Sequence, residues 1–80
     1  MKIFMYIRSN DVKWMEKEED LPFVPQVGTD LEGLSSEQPL RISGLVYNIP
    51  EQFIKVRLSW LSAEPMDSTE MVKFGWKIKM

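Results

Sequence analysis

The stretches 53–60 and 72–79 place apolar side chains at every second position and mostly basic or polar side chains between them. This period of two predicts two strands, each with an apolar inner face and a basic outer face. Cations beside aromatic rings can bind single-stranded nucleic acid, because phosphates pair with the cations and bases stack on the rings. The predicted contact residues are Arg41, Phe53, Lys55, Arg57, Lys73, Lys77 and Lys79.

The near-neutral charge of the chain hides an uneven distribution. Of 12 acidic and 10 basic residues, seven acidic and one basic residue lie between positions 16 and 37. The remainder of the chain is therefore basic. The alternative to nucleic-acid binding is that these cations only keep the exposed strand faces soluble and prevent aggregation. The acidic run 16–20 lacks the ligand spacing of a calcium loop, so we expect a solvated edge and no metal site there.

A second candidate surface is apolar. Residues 2–8 carry apolar side chains on both faces of a predicted strand, which indicates either a second core layer or a protein interface. The predicted interaction surface consists of Phe4, Tyr6, Trp14, Leu45 and Tyr47. We therefore expect a non-catalytic binding or protein-interaction module, self-associating through the first strand as a homodimer, with nucleic-acid binding as the alternative.

Catalysis has little support, because the chain has no His and no Cys. Disulfides, Cys/His zinc sites, thiol nucleophiles and imidazole bases are excluded, and Gly28 and Gly33 lack the surroundings of a phosphate loop. We expect no cofactor and no metal. The apolar run at the start of the sequence is too short for a signal peptide, and no stretch has the length of a membrane span. With no Cys to indicate an oxidising compartment, a cytoplasmic location is expected.

The other elements follow from the same period. We predict strands over 2–8, 40–47 and 53–61, a short strand near 30–34, and a hairpin formed by 40–47 and 53–61, with a bulge or a sharp bend at Gly44. Segment 12–20 suits either a strand or a short helix, and the acids at its end favour the strand. The polar connection 62–70 has room for one 3₁₀ turn. The predicted core is Ile3, Met5, Ile7, Ile42, Val46, Ile54, Val56, Leu58, Trp60, Val72, Phe74, Trp76 and Ile78.

Residues 21–28 read Leu-Pro-Phe-Val-Pro-Gln-Val-Gly, a Leu-Pro-Phe-x-Pro-x-x-Gly stretch, and the predicted hairpin follows it. In these features, which cover about half the chain, the sequence resembles small SH3-like β-barrel proteins of bacteria and phages. The resemblance implies one all-β domain over residues 1–80, an SH3-like barrel of five or six antiparallel strands. In that family the stretch is a structural crossover, so no functional residue carries over.

Overall fold

The computed structural model of the protein describes residues 2–34, 38–61 and 64–79. Six strands and one short helix follow one another along the chain. They are β1 (Lys2–Arg8), β2 (Trp14–Asp20), β3 (Asp30–Leu31), β4 (Leu40–Asn48), β5 (Phe53–Trp60), α1 (Ser68–Val72) and β6 (Lys77–Ile78). The strands form one sheet in the order β3-β4-β5-β1-β2-β6, so β5 and β1 lie at its centre.

The alternation within each strand divides the sheet into two faces. Met5 lies opposite Val56 in β5, and both are completely buried; we call their side of the sheet the core face. Tyr6 lies opposite Arg57 and Glu16 on the other side, which we call the outer face. Side chains that are direct cross-strand partners share a face, so the register assigns every strand residue to one face or the other.

The core face is covered by the two long connections of the chain. Segment 21–29 connects β2 to β3, which lies at the opposite edge of the sheet, and the side chain of Pro25 in this segment is buried. Met71 of α1 and Trp76 pack into the same hydrophobic cluster. The indole nitrogen of Trp76 donates a hydrogen bond of 2.5 Å to the carbonyl oxygen of Leu34, which joins this second covering segment to the connection between β3 and β4.

The hairpin turn between β1 and β2 is tied to the start of α1 through the Asp11 carboxylate. It accepts hydrogen bonds from the Ser9 hydroxyl, at 2.6 Å, and from the Ser68 backbone nitrogen and hydroxyl, at 2.8 and 2.5 Å. Both serines are buried, so these bonds satisfy polar groups that water does not reach. The hydrogen bonds from the two serines hold the pKa of Asp11 far below its ordinary value.

The all-β class is confirmed, but the prediction of a closed SH3-like barrel with only antiparallel strands is wrong. The sheet is open, with β3 and β6 at its two edges and no pairing between them in the described part of the chain. The central pair β1 and β5 is parallel. The crossover 21–29 causes this arrangement, because it carries the chain across the sheet before the β4–β5 hairpin returns to β1. The strands at 2–8 and 53–60 match the predictions, and 14–20 is a strand rather than a helix.

The predicted strand over 72–79 is also wrong, since only Lys77–Ile78 is extended there. Asp67 caps a helix that begins at Ser68, its side chain accepting a hydrogen bond of 2.9 Å from the backbone nitrogen of Glu70. After the helix, Gly75 adopts a positive φ of 91° and turns the chain. Three predicted core residues of this stretch are exposed as a result: Val72, Phe74 and Ile78. The one that remains buried is Trp76.

The bulge at Gly44 has a consequence that the sequence pattern alone does not show. The register shifts between Ile42 and Gly44, so the strand continues with its faces exchanged. Val46, predicted in the core, pairs with Lys55 on the outer face and is 61% exposed. The short strand predicted near 30–34 is limited to Asp30–Leu31, and residues 62 and 63 of the predicted polar connection lie outside the described residues.

Candidate ligand-binding face

The outer face carries a groove of about 610 Å³ whose floor is the middle of the sheet. The side chain of Tyr6, on the central strand β1, is half-buried there. Strands on both sides of β1 contribute the walls, and Lys79 is brought in by a backbone hydrogen bond of 2.8 Å from its nitrogen to the carbonyl oxygen of Trp14. The lining residues are Tyr6, Trp14, Gly44, Leu45, Val46, Lys55, Arg57 and Lys79. The groove is thus an apolar floor bordered by three cations.

Each aromatic ring of the outer face has a cation beside it. The Lys79 ammonium lies 4.5 Å from the ring centroid of Tyr6, and the Arg8 guanidinium lies 5.9 Å from that of Trp14. The same pairing joins Lys2 to Phe4 at 5.3 Å and Lys55 to Phe53 at 5.9 Å. Phe4 and Phe53 also contact each other edge to face, with centroids 5.0 Å apart. Such pairs place positive charge over ring faces that a planar ligand can use.

The three groove cations differ from most other cations of the sheet in lacking a carboxylate partner. Within the described residues, Lys55, Arg57 and Lys79 form no ion pair, whereas Arg41 binds Asp30 with Nε 2.8 Å from Oδ1. The Asp30 carboxylate raises the pKa of Arg41, and Arg41 lowers that of Asp30. The groove cations are therefore free to pair with an anionic ligand, and Arg8 and Lys77 of the same face likewise form no ion pair among the described residues.

The phenol of Tyr6 stays neutral in the groove. Burial raises its pKa, and the nearby charge of Glu16 raises it further. Glu16 and Glu18 of β2 share the outer face with Tyr6 and Phe4, and Glu18 is paired with Lys2, whose Nζ lies 3.3 Å from Oε1. The face is therefore cationic along β5, and Glu16 supplies the acidic charge beside Tyr6 on its β2 side. An anionic ligand is directed towards β5 and away from β2.

The predicted nucleic-acid contacts are only partly brought together. Lys55, Arg57 and Lys79 line the groove, while Phe53 and Lys77 share its face by register. The other two predictions do not fit a common site. Arg41 lies on the outer face near the β3 edge, neutralised by Asp30, and Lys73 ends helix α1, where it lies 3.4 Å from the Glu70 carboxylate.

The predicted apolar surface is split in the same way. Phe4, Tyr6 and Trp14 lie on the outer face, but Leu45 and Tyr47 pair with core-face residues of β5 because of the bulge. Of these two, Leu45 still borders the groove. Sequence reasoning missed Lys2 and Arg8, the remaining outer-face cations of β1. The sequence could have predicted them, because side chains at positions 2, 4, 6 and 8 of one strand point to the same face.

No other kind of site emerges. Among residues 2–34, 38–61 and 64–79, no three acidic side chains are grouped closely enough to hold a metal ion. The described helix is too short and too polar to cross a membrane. Comparison of the chain with protein-family models, with curated proteins and with solved structures finds no match. The resemblance to SH3-like barrel proteins thus stays a prediction, and function must be argued from the geometry.

Proposed function

We propose that this protein is a non-catalytic binding module that holds single-stranded nucleic acid on the outer face of its sheet. The observation that carries the proposal is the groove, in which Tyr6 lies between three cations that have no carboxylate partner in the described chain. The sequence suggested two separate surfaces, one apolar and one basic. In the fold, Phe4, Tyr6 and Trp14 of the first share a face with Lys55 and Arg57 of the second, so these parts form one surface.

The chemistry of this surface matches an unpaired strand better than a duplex. Bases stack on aromatic rings only when they are released from pairing, and each such contact is worth about 1–3 kcal/mol. Tyr6 and Phe4 are two positions apart on β1, so their Cα atoms are separated by about 6–7 Å, a distance that successive bases of an extended strand can span. Lys79 lies over Tyr6 on a flexible stem, and it moves to a phosphate when a base takes its place.

Charge sets the path of the bound strand. Phosphates are attracted to Lys55 and Arg57 of β5 and repelled by Glu16 of β2, whereas Glu18 is paired with Lys2. Backbone contacts therefore follow β5, and bases point across β1 towards Trp14. With three phosphates neutralised, the logarithm of the affinity falls with the logarithm of salt concentration with a slope of about −2.

The test is fluorescence anisotropy with labelled single-stranded and duplex oligonucleotides of twelve nucleotides, DNA and RNA. We expect binding of single strands in preference to duplex, weakening about 15–20-fold between 50 and 200 mM salt. Absence of binding to every single strand at 50 mM salt with 100 µM protein would refute the proposal.

Matched variants test the location of the binding surface. Arg57→Glu and Lys73→Glu change the net charge equally, but only Arg57 lines the groove. We expect Arg57→Glu to weaken binding about tenfold and to lower the salt slope by about one, while Lys73→Glu has little effect. Tyr6→Leu should weaken binding 5-fold or more, and Tyr6→Phe should retain it because the ring remains. Equal losses from Arg57→Glu and Lys73→Glu would place binding elsewhere.

A further inference from the structure

Beyond its bulge, strand β4 forms an open edge of the sheet. Its neighbour β3 pairs only with Leu40 and Arg41, and Gly28 and Thr29 extend the backbone bonding as far as Ile42. Over residues 44–48, no backbone segment within the described ranges bonds to the side of β4 that faces away from β5. Its outward backbone groups are available to another strand.

This edge lacks the features that normally protect an exposed strand. Residues 42–50 contain no charged side chain, and Pro appears only at the end of this segment, beyond the strand. Val46 on the outer face is 61% exposed, Tyr47 on the core-face side is 56% exposed, and Ile49 in the following turn is 76% exposed. Edge strands usually carry Lys, Pro or inward charges that prevent pairing. The opposite edge of the sheet is protected in this way, because β6 is only two residues long and begins with Lys77.

We propose that β4 pairs antiparallel with β4 of a second copy of the chain about a two-fold axis. The register that suits the side chains places Val46 opposite Val46 of the second copy and Leu45 opposite Tyr47. It satisfies the rule that opposed residues share a face, because Leu45 and Tyr47 both lie on the core-face side. Over residues 45–47 every apolar side chain then meets an apolar one, and no charges face each other.

The structure favours a second copy over a foreign peptide or an open fibre. Symmetric pairing uses one patch twice and closes after two chains. A fibre would need the β6 edge, which is short and carries Lys77. The two-fold axis runs perpendicular to the sheet, so both outer faces lie on the same side. Gly44, Leu45 and Val46 line each groove, and the two grooves adjoin across the axis.

The experiment is sedimentation-velocity analysis of the wild-type protein from 5 to 500 µM. The mass should rise from 9.4 kDa towards twice that value. Val46→Lys places two like charges face to face and should weaken association at least tenfold, whereas Val72→Lys, the same substitution at an exposed position on α1, should not. An equimolar mixture of Val46→Lys and Val46→Glu should associate more tightly than either variant alone, because opposite charges then meet across the axis.

Three results would overturn the proposal. One is a wild-type protein that remains at 9.4 kDa throughout, which would leave the edge to an extended peptide or to no partner. Another is an oligomer that Val46→Lys does not weaken, which would show a different interface. The third is a mixture of the two Val46 variants that associates no better than its components, which would refute the register. Circular dichroism of each variant confirms that the fold is retained, as expected for an exposed position.

Discussion

The two tryptophans whose indole nitrogens donate to backbone carbonyls offer a matched test of how the core is held. Trp76 is 1% exposed and donates to Leu34, and Trp60 is only partly buried and donates to Arg8 at 2.6 Å. Changing either to Phe keeps an aromatic ring and removes the donor. The consequences differ because water can reach the acceptor of Trp60 more readily than that of Trp76.

The expected losses follow from burial. Trp76→Phe leaves the Leu34 carbonyl without its donor in a dry environment, at a cost of about 1–3 kcal/mol. The smaller ring removes apolar contact worth about another 1 kcal/mol, for a total of about 2–4 kcal/mol. Trp60→Phe should lose only about 0.5–1.5 kcal/mol, the net value of a hydrogen bond that water can replace. For a domain of this size the total free energy of unfolding is about 4–12 kcal/mol, so Trp76→Phe removes a large share of it.

The assay is urea unfolding followed by far-UV circular dichroism, with thermal unfolding as a second measure. Each kcal/mol corresponds to about 4–8 °C in Tm for a chain of this length, so Trp76→Phe should lower Tm by at least 8 °C. The slopes of the urea transitions should stay equal, which shows that the native and unfolded states are comparable. A loss for Trp76→Phe no greater than that for Trp60→Phe would refute the role of the buried Trp76–Leu34 hydrogen bond in holding the α1 segment to the connection between β3 and β4.

Three further substitutions test turns of the chain. Asp11→Asn should lower the free energy of unfolding at pH 7, because it removes the charge that the two serines bind. The pKa of Asp11 in the folded state lies below its ordinary 3.8. The stability contributed by the ionised carboxylate is therefore complete above pH 3.8 and is lost as the pH falls towards the folded-state pKa. The difference between wild type and variant in urea unfolding should therefore shrink from pH 7 to pH 2.5, and a constant difference would contradict the role of its charge. Val12 adopts a positive φ of 62°, which is costly for a β-branched residue, so Val12→Asn should raise the free energy of unfolding by about 1 kcal/mol. Gly75→Ala should lower it by a similar amount, and unchanged stability in both variants would contradict the left-handed conformations.

Local patterns predicted individual strands where the alternation of apolar and polar side chains was regular, but they did not predict the open sheet or its parallel central pair. The strands around Met5 and Val56 followed directly from period two. The same period failed at 72–79, because Asp67 capping and the turn at Gly75 made a helix and a turn from residues that alternate by coincidence. Alternation shows which residues share a face only if the segment is a strand.

The candidate site shows a second limit of sequence reasoning. A bulge or a sharp bend at Gly44 was predicted. The sequence does not show that the register shifts there, which pairs Gly44 with Arg57 and turns Val46 to the groove side of the sheet. The approach of Lys79 to Tyr6 depends on the chain returning beside β2 after α1. Both features result from tertiary contacts between distant segments, which no local pattern contains.

The most direct test of the binding face is an NMR titration of isotope-labelled protein with a single-stranded oligonucleotide of twelve nucleotides. If the outer face binds the strand, the largest shifts should occur in the ring signals of Tyr6 and Trp14 and in the amide signals of Lys55 and Arg57. Signals of the opposite side, such as those of Pro25 and Met71, should remain unchanged. Shifts concentrated on that opposite side, or none at saturating oligonucleotide, would contradict the assignment of the outer face as the binding surface.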